Sequence, residues 1–377
     1  MTRRTFSGLL GGAAAFVGPV LDASRDLQAQ PAVPARVHDL YDRSIVIDCL
    51  ASPQSFNIPW PPQDQGLLED QRSNIRNSGI SAINLTVNGA TFEDTISHIA
   101  FWTGEVERDP SLMTIVRNAA GIQAAKQSKR LGLMFGFQGT DVLGADLTRL
   151  VQFRRLGVRI MQLTYNTRSL AGDGCLEPGN AGLSSFGRQM VARMDELGIA
   201  VDLGHCGMQT CSDAIAQSRK PVLISHTGCR AVYDHPRNKT DAVLKACADR
   251  GGVVGIYLMP FVGGKGAPTA ELVMQHIDHA VKICGIDHVG IGSDQSITPI
   301  RETPEYLREW QNFSRIRQAS GSAAPDEDRP LYTPEFNSPR RLELIAAELA
   351  KRSYDDNGIQ KIIGGNFQRV LNEIWGG

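Results

Sequence analysis

Eight short runs rich in valine, isoleucine and leucine recur along the chain with helix-sized intervals between them, at 44–50, 82–88, 132–138, 159–166, 200–205, 221–226, 253–260 and 288–294. Most lack the apolar–polar alternation of a half-exposed strand. Both faces of each must therefore be buried, as in a parallel sheet covered by helices. The intervals agree: Phe186, Met190, Val191, Met194 and Leu197 fall on one helical face of 186–197, and 240–250 and 273–284 read the same way. Gly198, Gly251 and Gly285 follow these helices, where a left-handed cap is wanted. Eight strands alternating with helices predict an α/β fold, a (β/α)8 TIM barrel. The rival is a doubly wound open sheet, which ordinarily announces a nucleotide with a glycine-rich first turn; no GxGxxG follows a strand here. The Pro/Gln-rich stretch 53–65 and the charged, proline-containing stretch 297–339 read as loops on the reaction face, and 340–351 with 360–375 as closing helices.

The 377 residues are 42% hydrophobic with a net charge of −1, enough for one large core and no electrostatic case for nucleic acid or an anionic membrane. No run of 18 apolar residues exists to span a bilayer in the mature protein. Arg3-Arg4 precedes a small-residue, mildly hydrophobic segment from Gly8 to Val17. That resembles a bacterial Tat signal, so 1–35 is expected to be signal and linker, with Ala29 a candidate cleavage position, and 36–377 a single barrel domain in the periplasm. The alternative is a plain basic start. Seven cysteines without a CxxC pair read as small core residues; Cys206 stands out because it follows His205.

In a barrel of parallel strands, the carboxyl ends form the reaction face. Two successive runs end on Gly204-His205 and Ser225-His226. Two neutral imidazoles converging there are an economical way to hold a transition metal. The other strand ends contribute Asp48, Gln138, Tyr165, Asn166 and Asp294, and Arg237 lies in the loop after the sixth run. Each has a plainer alternative. A strand-end histidine can be a hydrogen-bonded structural residue, Asp294 can cap the next helix, and Arg237 can be a surface charge. The chemical readings are metal ligation by the histidines, proton transfer by Asp294 and recognition of a carboxylate by the Arg237 guanidinium. His276 and His279 read as solvated helix residues on the far side, and His235 as structural.

Several blocks together resemble the membrane dipeptidase (renal dipeptidase) family of zinc peptidases, of the metallo-dependent hydrolase type. They are Gly182-Leu183-Ser184-Ser185-Phe186-Gly187, Val201-Asp202-Leu203-Gly204-His205, Ser225-His226-Thr227, His235-Pro236-Arg237-Asn238, Gly251-Gly252-Val253-Val254, the run from Asp287 to Asp294 and Gly364-Gly365-Asn366-Phe367. The resemblance implies a (β/α)8 barrel, a two-zinc site with a bridging glutamate, hydrolysis of a dipeptide-like substrate and pairing into a homodimer.

The match of site residues is partial. His205, His226, Arg237 and Asp294 stand where the resemblance wants them. Leu50 and Ser52 occupy the positions of a first-strand His-x-Asp pair, Gln138 that of the bridging glutamate and Tyr165 that of a fourth-strand histidine. One metal position thereby loses its ligands. The expectation is at most one zinc, held by His205, His226 and Gln138, with Asp48, Asp173 and Glu177 as candidate replacement ligands. Asp294, Arg237 and Tyr165 are the expected catalytic residues, and Arg237, Asn166 and Asp173 the expected substrate contacts. Three functions remain open: a metal-dependent hydrolase acting on a dipeptide or related amide or lactone, a non-hydrolytic isomerase or lyase using Tyr165 and Asp294, and a binding protein on an enzyme scaffold.

Overall fold

The computed structural model describes residues 32–57 and 66–376. The twin arginines, the expected signal and 58–65 of the Pro/Gln-rich stretch lie outside the described residues. The strands are β1 (Ile47–Asp48), β2 (Ala51–Ser52), β3 (Ala82–Thr86), β4 (Met113–Ile115), β5 (Leu131–Phe137), β6 (Val158–Gln162), β7 (Ala200–Asp202), β8 (Leu223–Thr227), β9 (Val253–Ile256), β10 (Val289–Ile291) and β11 (Gln295–Ser296). Taken in the order β1, β3, β5, β6, β7, β8, β9, β10, eight of them are parallel neighbours. Each expected apolar run overlies one of these eight. Every residue of β5 is buried, as a strand covered on both faces requires.

The ring closes between β10 and β1. There Cys49 N–H donates to the Ile291 carbonyl at 2.9 Å and Asp294 N–H to the Leu50 carbonyl at 2.8 Å. Just beyond, β11 pairs in parallel with β2. The short strand β4 was not expected from the sequence. It pairs with Leu131, Gly132 and Leu133 of β5, the stretch that β6 leaves free because β6 pairs only from Phe135 onward.

Helices sheathe the barrel. Ser184, Thr240 and Thr269 cap helices Ser185–Leu197, Asp241–Asp249 and Ala270–Cys284, each side chain accepting a backbone N–H of the first turn. Gly198, at φ 62°, ends the first of these with its N–H turned back to the Met194 and Asp195 carbonyls, a conformation a Cβ would resist. Helix Asn366–Trp375 plugs the floor: Phe367, Val370, Leu371, Ile374 and Trp375 pack in one cluster with Ile47, Ala82, Ala200, Leu223 and Val253, the opening residues of their strands. With that end filled, chemistry is left to the opposite face.

One expectation is corrected here. The stretch 297–339 is not simply loop, because it carries a sixteen-residue helix, Pro304–Ala319, capped by the Thr303 hydroxyl. Among the described residues no helix is long and apolar enough to cross a membrane. All seven cysteines are free thiols. Cys206 is buried, with a thiol that burial pushes up to about 12, so it is packing rather than a nucleophile.

Candidate active site

At the carboxyl end of β7, the buried Asp202 carboxylate ties two strands together. It accepts the Ser225 N–H at 2.8 Å and the Ser225 hydroxyl at 2.5 Å. That hydroxyl lies 2.7 Å from His226 Nδ1. Since its single proton goes to Asp202, the hydroxyl accepts from His226 Nδ1–H, and the lone pair of His226 is left on Nε2. Gly292 makes room for this arrangement: a Cβ there would meet the Ser225 carbonyl at 1.9 Å.

His205 reaches the same state by another route. The Asn166 Nδ2 donates to the Ser322 carbonyl at 2.9 Å, so its Oδ1 faces His205 Nδ1 at 2.6 Å and must accept. The Tyr165 ring stacks on the His205 imidazole with centroids 4.2 Å apart. The two imidazoles are 4.9 Å apart, both are buried, and the Nε2 of each has no partner. Burial, reinforced by the Arg237 charge, holds both well below the ordinary histidine pKa, so both are neutral at physiological pH.

Tyr165, His205, Arg237, Asp294, Gln138 and Asn166 line one cavity of about 230 Å³. Arg237 is 1% exposed; its Nη1 donates to the Gly204 carbonyl at 2.8 Å, while Nη2 has no partner. A buried guanidinium with a free arm is built to receive an anion. Burial raises the Asp294 carboxyl to about 6, with Arg237 pulling the other way. Asp294 sits at φ 59°, a left-handed conformation uncommon outside glycine, which aspartate tolerates better than most residues. Arg317 Nη2 donates to the Tyr165 hydroxyl at 3.3 Å, and its guanidinium is paired with Glu327. The Tyr165 phenol is held above its ordinary pKa chiefly by burial, with Arg317 pulling it down, so it keeps its proton.

The structure therefore brings seven of the eight expected site residues to one place: His205, His226, Gln138, Tyr165, Asn166, Arg237 and Asp294. Asp173 is placed elsewhere. Its carboxylate accepts from Arg168 Nε at 2.7 Å and Ala181 N–H at 2.6 Å, which makes it a loop brace, and Glu177 pairs with the same arginine. Asp48 is occupied at the barrel seam by Ser293 N–H at 2.7 Å and by the Ser293 hydroxyl. His235 is structural, as expected, accepting the Arg237 N–H on Nδ1 and stacking on Phe261. His276 is a correction: it is fully buried, accepting from Cys229 N–H and donating to the Val262 carbonyl, rather than solvated. Arg317, Glu327 and the aromatic residues of helix Pro304–Ala319 went unread in the sequence. Their signal was there, in Thr303-Pro304-Glu305 as a helix start and in Tyr306, Trp310, Phe313 and Arg317 at helical spacing.

Two buried neutral imidazoles with bare Nε2 atoms suit a transition metal, and their Nδ1 hydrogen bonds are of the kind that orients histidine ligands. The pair is one short of the three protein ligands common in catalytic zinc sites. Among the described residues no group of three or more His, Cys, Asp or Glu side chains is placed for a metal. Gln138 lines the same cavity, and its Nε2 donates to Thr86 Oγ1 at 3.0 Å, which identifies the other amide atom, Oε1, as an acceptor. Leu50 is buried and apolar, and the Ser52 hydroxyl accepts the Gln54 N–H.

The comparisons with known proteins agree with this geometry. A curated relative, dipeptidase verJ of Clonostachys rogersoniana, is 29% identical over 71% of this chain; the match spans 62% of the relative, so the chain covers only about three fifths of its length. The crystal structure of an amidohydrolase from Pseudomonas aeruginosa is similar with a TM-score of 0.77 and 29% identity, covering 90% of this chain and 99% of that one. The probable dipeptidase PvdM from Pseudomonas aeruginosa shares the fold, with a TM-score of 0.71 at 18% identity over 90% of this chain and 98% of that one. The family model of membrane dipeptidase matches residues 59–317, which takes in β3 to β11, both imidazoles, Arg237 and Asp294. On that match, the chain belongs to the membrane dipeptidase family, peptidase family M19.

Proposed function

We propose that this chain is a metal-dependent hydrolase with a single zinc, acting on a dipeptide or a related amide or lactone. One observation carries the reading: three buried nitrogens lack partners, Nε2 of His205, Nε2 of His226 and Nη2 of Arg237; His205 and Arg237 line one cavity, and the His226 ring centroid lies 4.9 Å from that of His205. Buried polar atoms are ordinarily satisfied, so three together mark a place for ligands. His205 and His226, with Gln138 Oε1 as third donor, would hold the ion. When bound, zinc polarises a carbonyl and acidifies water.

The protein groups divide the remaining work. Arg237 Nη2 receives the substrate carboxylate and fixes its orientation. Asp294, mostly ionised at neutral pH, takes the proton of the attacking water as its oxygen bonds to the carbonyl carbon. It then passes that proton to the nitrogen as the C–N bond breaks. Because Arg317 donates to the Tyr165 oxygen, the Tyr165 O–H is free to donate to the oxyanion that develops.

A second reading keeps these residues without metal: Tyr165 as acid and Asp294 as base for proton transfer. Their perturbed pKa values in one cavity favour it as the alternative. Metal analysis of protein purified without added zinc, with turnover of dipeptides, N-acyl amino acids and lactones before and after chelation, separates the two. About one zinc per chain and activity lost on chelation and in His205→Ala support the hydrolase; two tightly held ions overturn the one-metal assignment. Turnover that survives both treatments replaces it with the proton-transfer reading. No turnover on any substrate, with ligand binding unchanged in Asp294→Asn, makes the chain a binding protein. We further infer periplasmic delivery by the Tat route, which rests on Arg3-Arg4. Replacing both with lysine should retain the protein in the cytoplasm, and unchanged export refutes the assignment.

A further inference from the structure

The lining of the cavity carries two kinds of chemistry. One is the polar cluster just described. The other is Phe56, Met259, Phe261, Tyr306, Trp310 and Phe313, with no charged group among them. Tyr306 and Trp310 are 2% and 7% exposed and form a small core with Ile300, separate from the main core of the barrel. That core is the backing of a wall, and the wall's other side is the cavity. The wall is continuous with the reacting groups: Arg317, one helical stretch beyond Phe313, sits with its guanidinium 5.7 Å from the Phe313 ring centroid and 5.8 Å from that of Tyr165.

We propose that the face of helix Pro304–Ala319 carrying Tyr306, Trp310 and Phe313 is a subsite for a large apolar, preferably aromatic, group on the substrate. This inference rests on the hydrolase reading for the chemistry but not for the binding. A substrate whose carboxylate is held by Arg237 and whose scissile group lies beside His205 and Asp294 has to place its remaining bulk against this wall, since the three elements line one small cavity. Ring-on-ring packing then gives an aromatic group contact that a methyl or a hydrogen cannot. The helix is also joined to the imidazole it faces. Arg317 donates to Tyr165, which stacks on His205, and the Ser322 carbonyl just past the helix accepts from Asn166, which sets the His205 tautomer. Occupying the wall therefore presses on the segment that holds His205 in place, and part of the binding energy is expected in kcat.

The test uses a series of dipeptides with one carboxyl-terminal residue, alanine, and glycine, leucine, phenylalanine or tryptophan before it. A parallel series of N-acyl alanines carries acetyl, hexanoyl or phenylacetyl groups. Binding is measured by calorimetry on Asp294→Asn, and turnover on the unaltered chain. The expected order is aromatic over leucine over glycine, with about tenfold or more between the extremes in kcat/KM. Trp310→Ala should flatten the order, and Trp310→Phe, which keeps a ring and protects against loss of fold, should largely preserve it. Hydrolysis without any such order overturns the subsite and leaves the hydrolase standing. Binding in the expected order without hydrolysis overturns the hydrolase and leaves the subsite standing. An order unchanged in a folded Trp310→Ala places the preference elsewhere and overturns the assignment to this helix.

Discussion

The Asn166 amide can point only one way, because the Ser322 carbonyl accepts from one end and the His205 ring donates to the other. Its Oδ1 holds the proton on Nδ1 and leaves Nε2 free. Asn166→Leu should therefore lower zinc affinity by roughly 10–100-fold, the usual loss for a residue that orients a ligand. Competition against a chromophoric chelator reads this directly, and unchanged affinity would show that His205 needs no such partner. Asp294 gives a second prediction. With its carboxyl raised to about 6 and needed ionised, kcat/KM should fall as pH drops through that value. Asp294→Asn should cost about 10²–10⁴-fold and remove the acid limb. A limb near pH 6 that persists in Asp294→Asn belongs to another group. Both histidines, Arg237 and Asp294 were legible in the sequence because each ends a strand, or follows one, in a fold where strand ends converge. Asp173 and His276 were not. Whether a loop carboxylate meets a ligand or an arginine, and whether a helical histidine faces solvent or a neighbour's backbone, depends on packing that spacing does not encode.

Helix Pro304–Ala319 connects the apolar lining of the cavity to this residue chemistry through Arg317. Arg317→Met removes the donor to Tyr165 and leaves Glu327 buried without its cation. The unpaired carboxylate should destabilise the fold by roughly 3–5 kcal/mol in urea unfolding, and adding Glu327→Gln should recover most of it. In the double variant, kcat should still be down about fivefold, the worth of one hydrogen bond. Recovery of kcat along with stability would limit Arg317 to a structural role. The eight barrel strands were readable because burial on both faces leaves unbroken apolar runs. This helix was hidden by its surroundings: charges and prolines on either side made Thr303-Pro304-Glu305 look like more loop. Strand β4, three residues long, carries too little pattern to stand out.

At the scale of the whole barrel, the floor and the seam decide how firmly the site is held. Phe367 is fully buried among the first residues of the strands. Phe367→Ala should cost roughly 3–5 kcal/mol and lower the melting temperature while leaving the zinc content of the folded protein unchanged. Loss of metal at full stability would mean that the floor reaches the site. The seam is of another kind. Where β3 meets β5 the ladder runs for five residue pairs, but at the seam the Cys49-to-Ile291 and Asp294-to-Leu50 bonds lead into the short β2–β11 pair, and Asp48 grips Ser293 from 245 residues away in sequence. A joint of few bonds opens before a long ladder does. In deuterated water, the amide protons of Cys49 and Asp294 should exchange well ahead of those in β5. Each opening would carry Asp294 away from the imidazoles without disturbing them. The Asp294 carboxylate would thus be the first group to leave the site and the last to return, and the breathing of this joint would set a limit on how continuously the site is assembled.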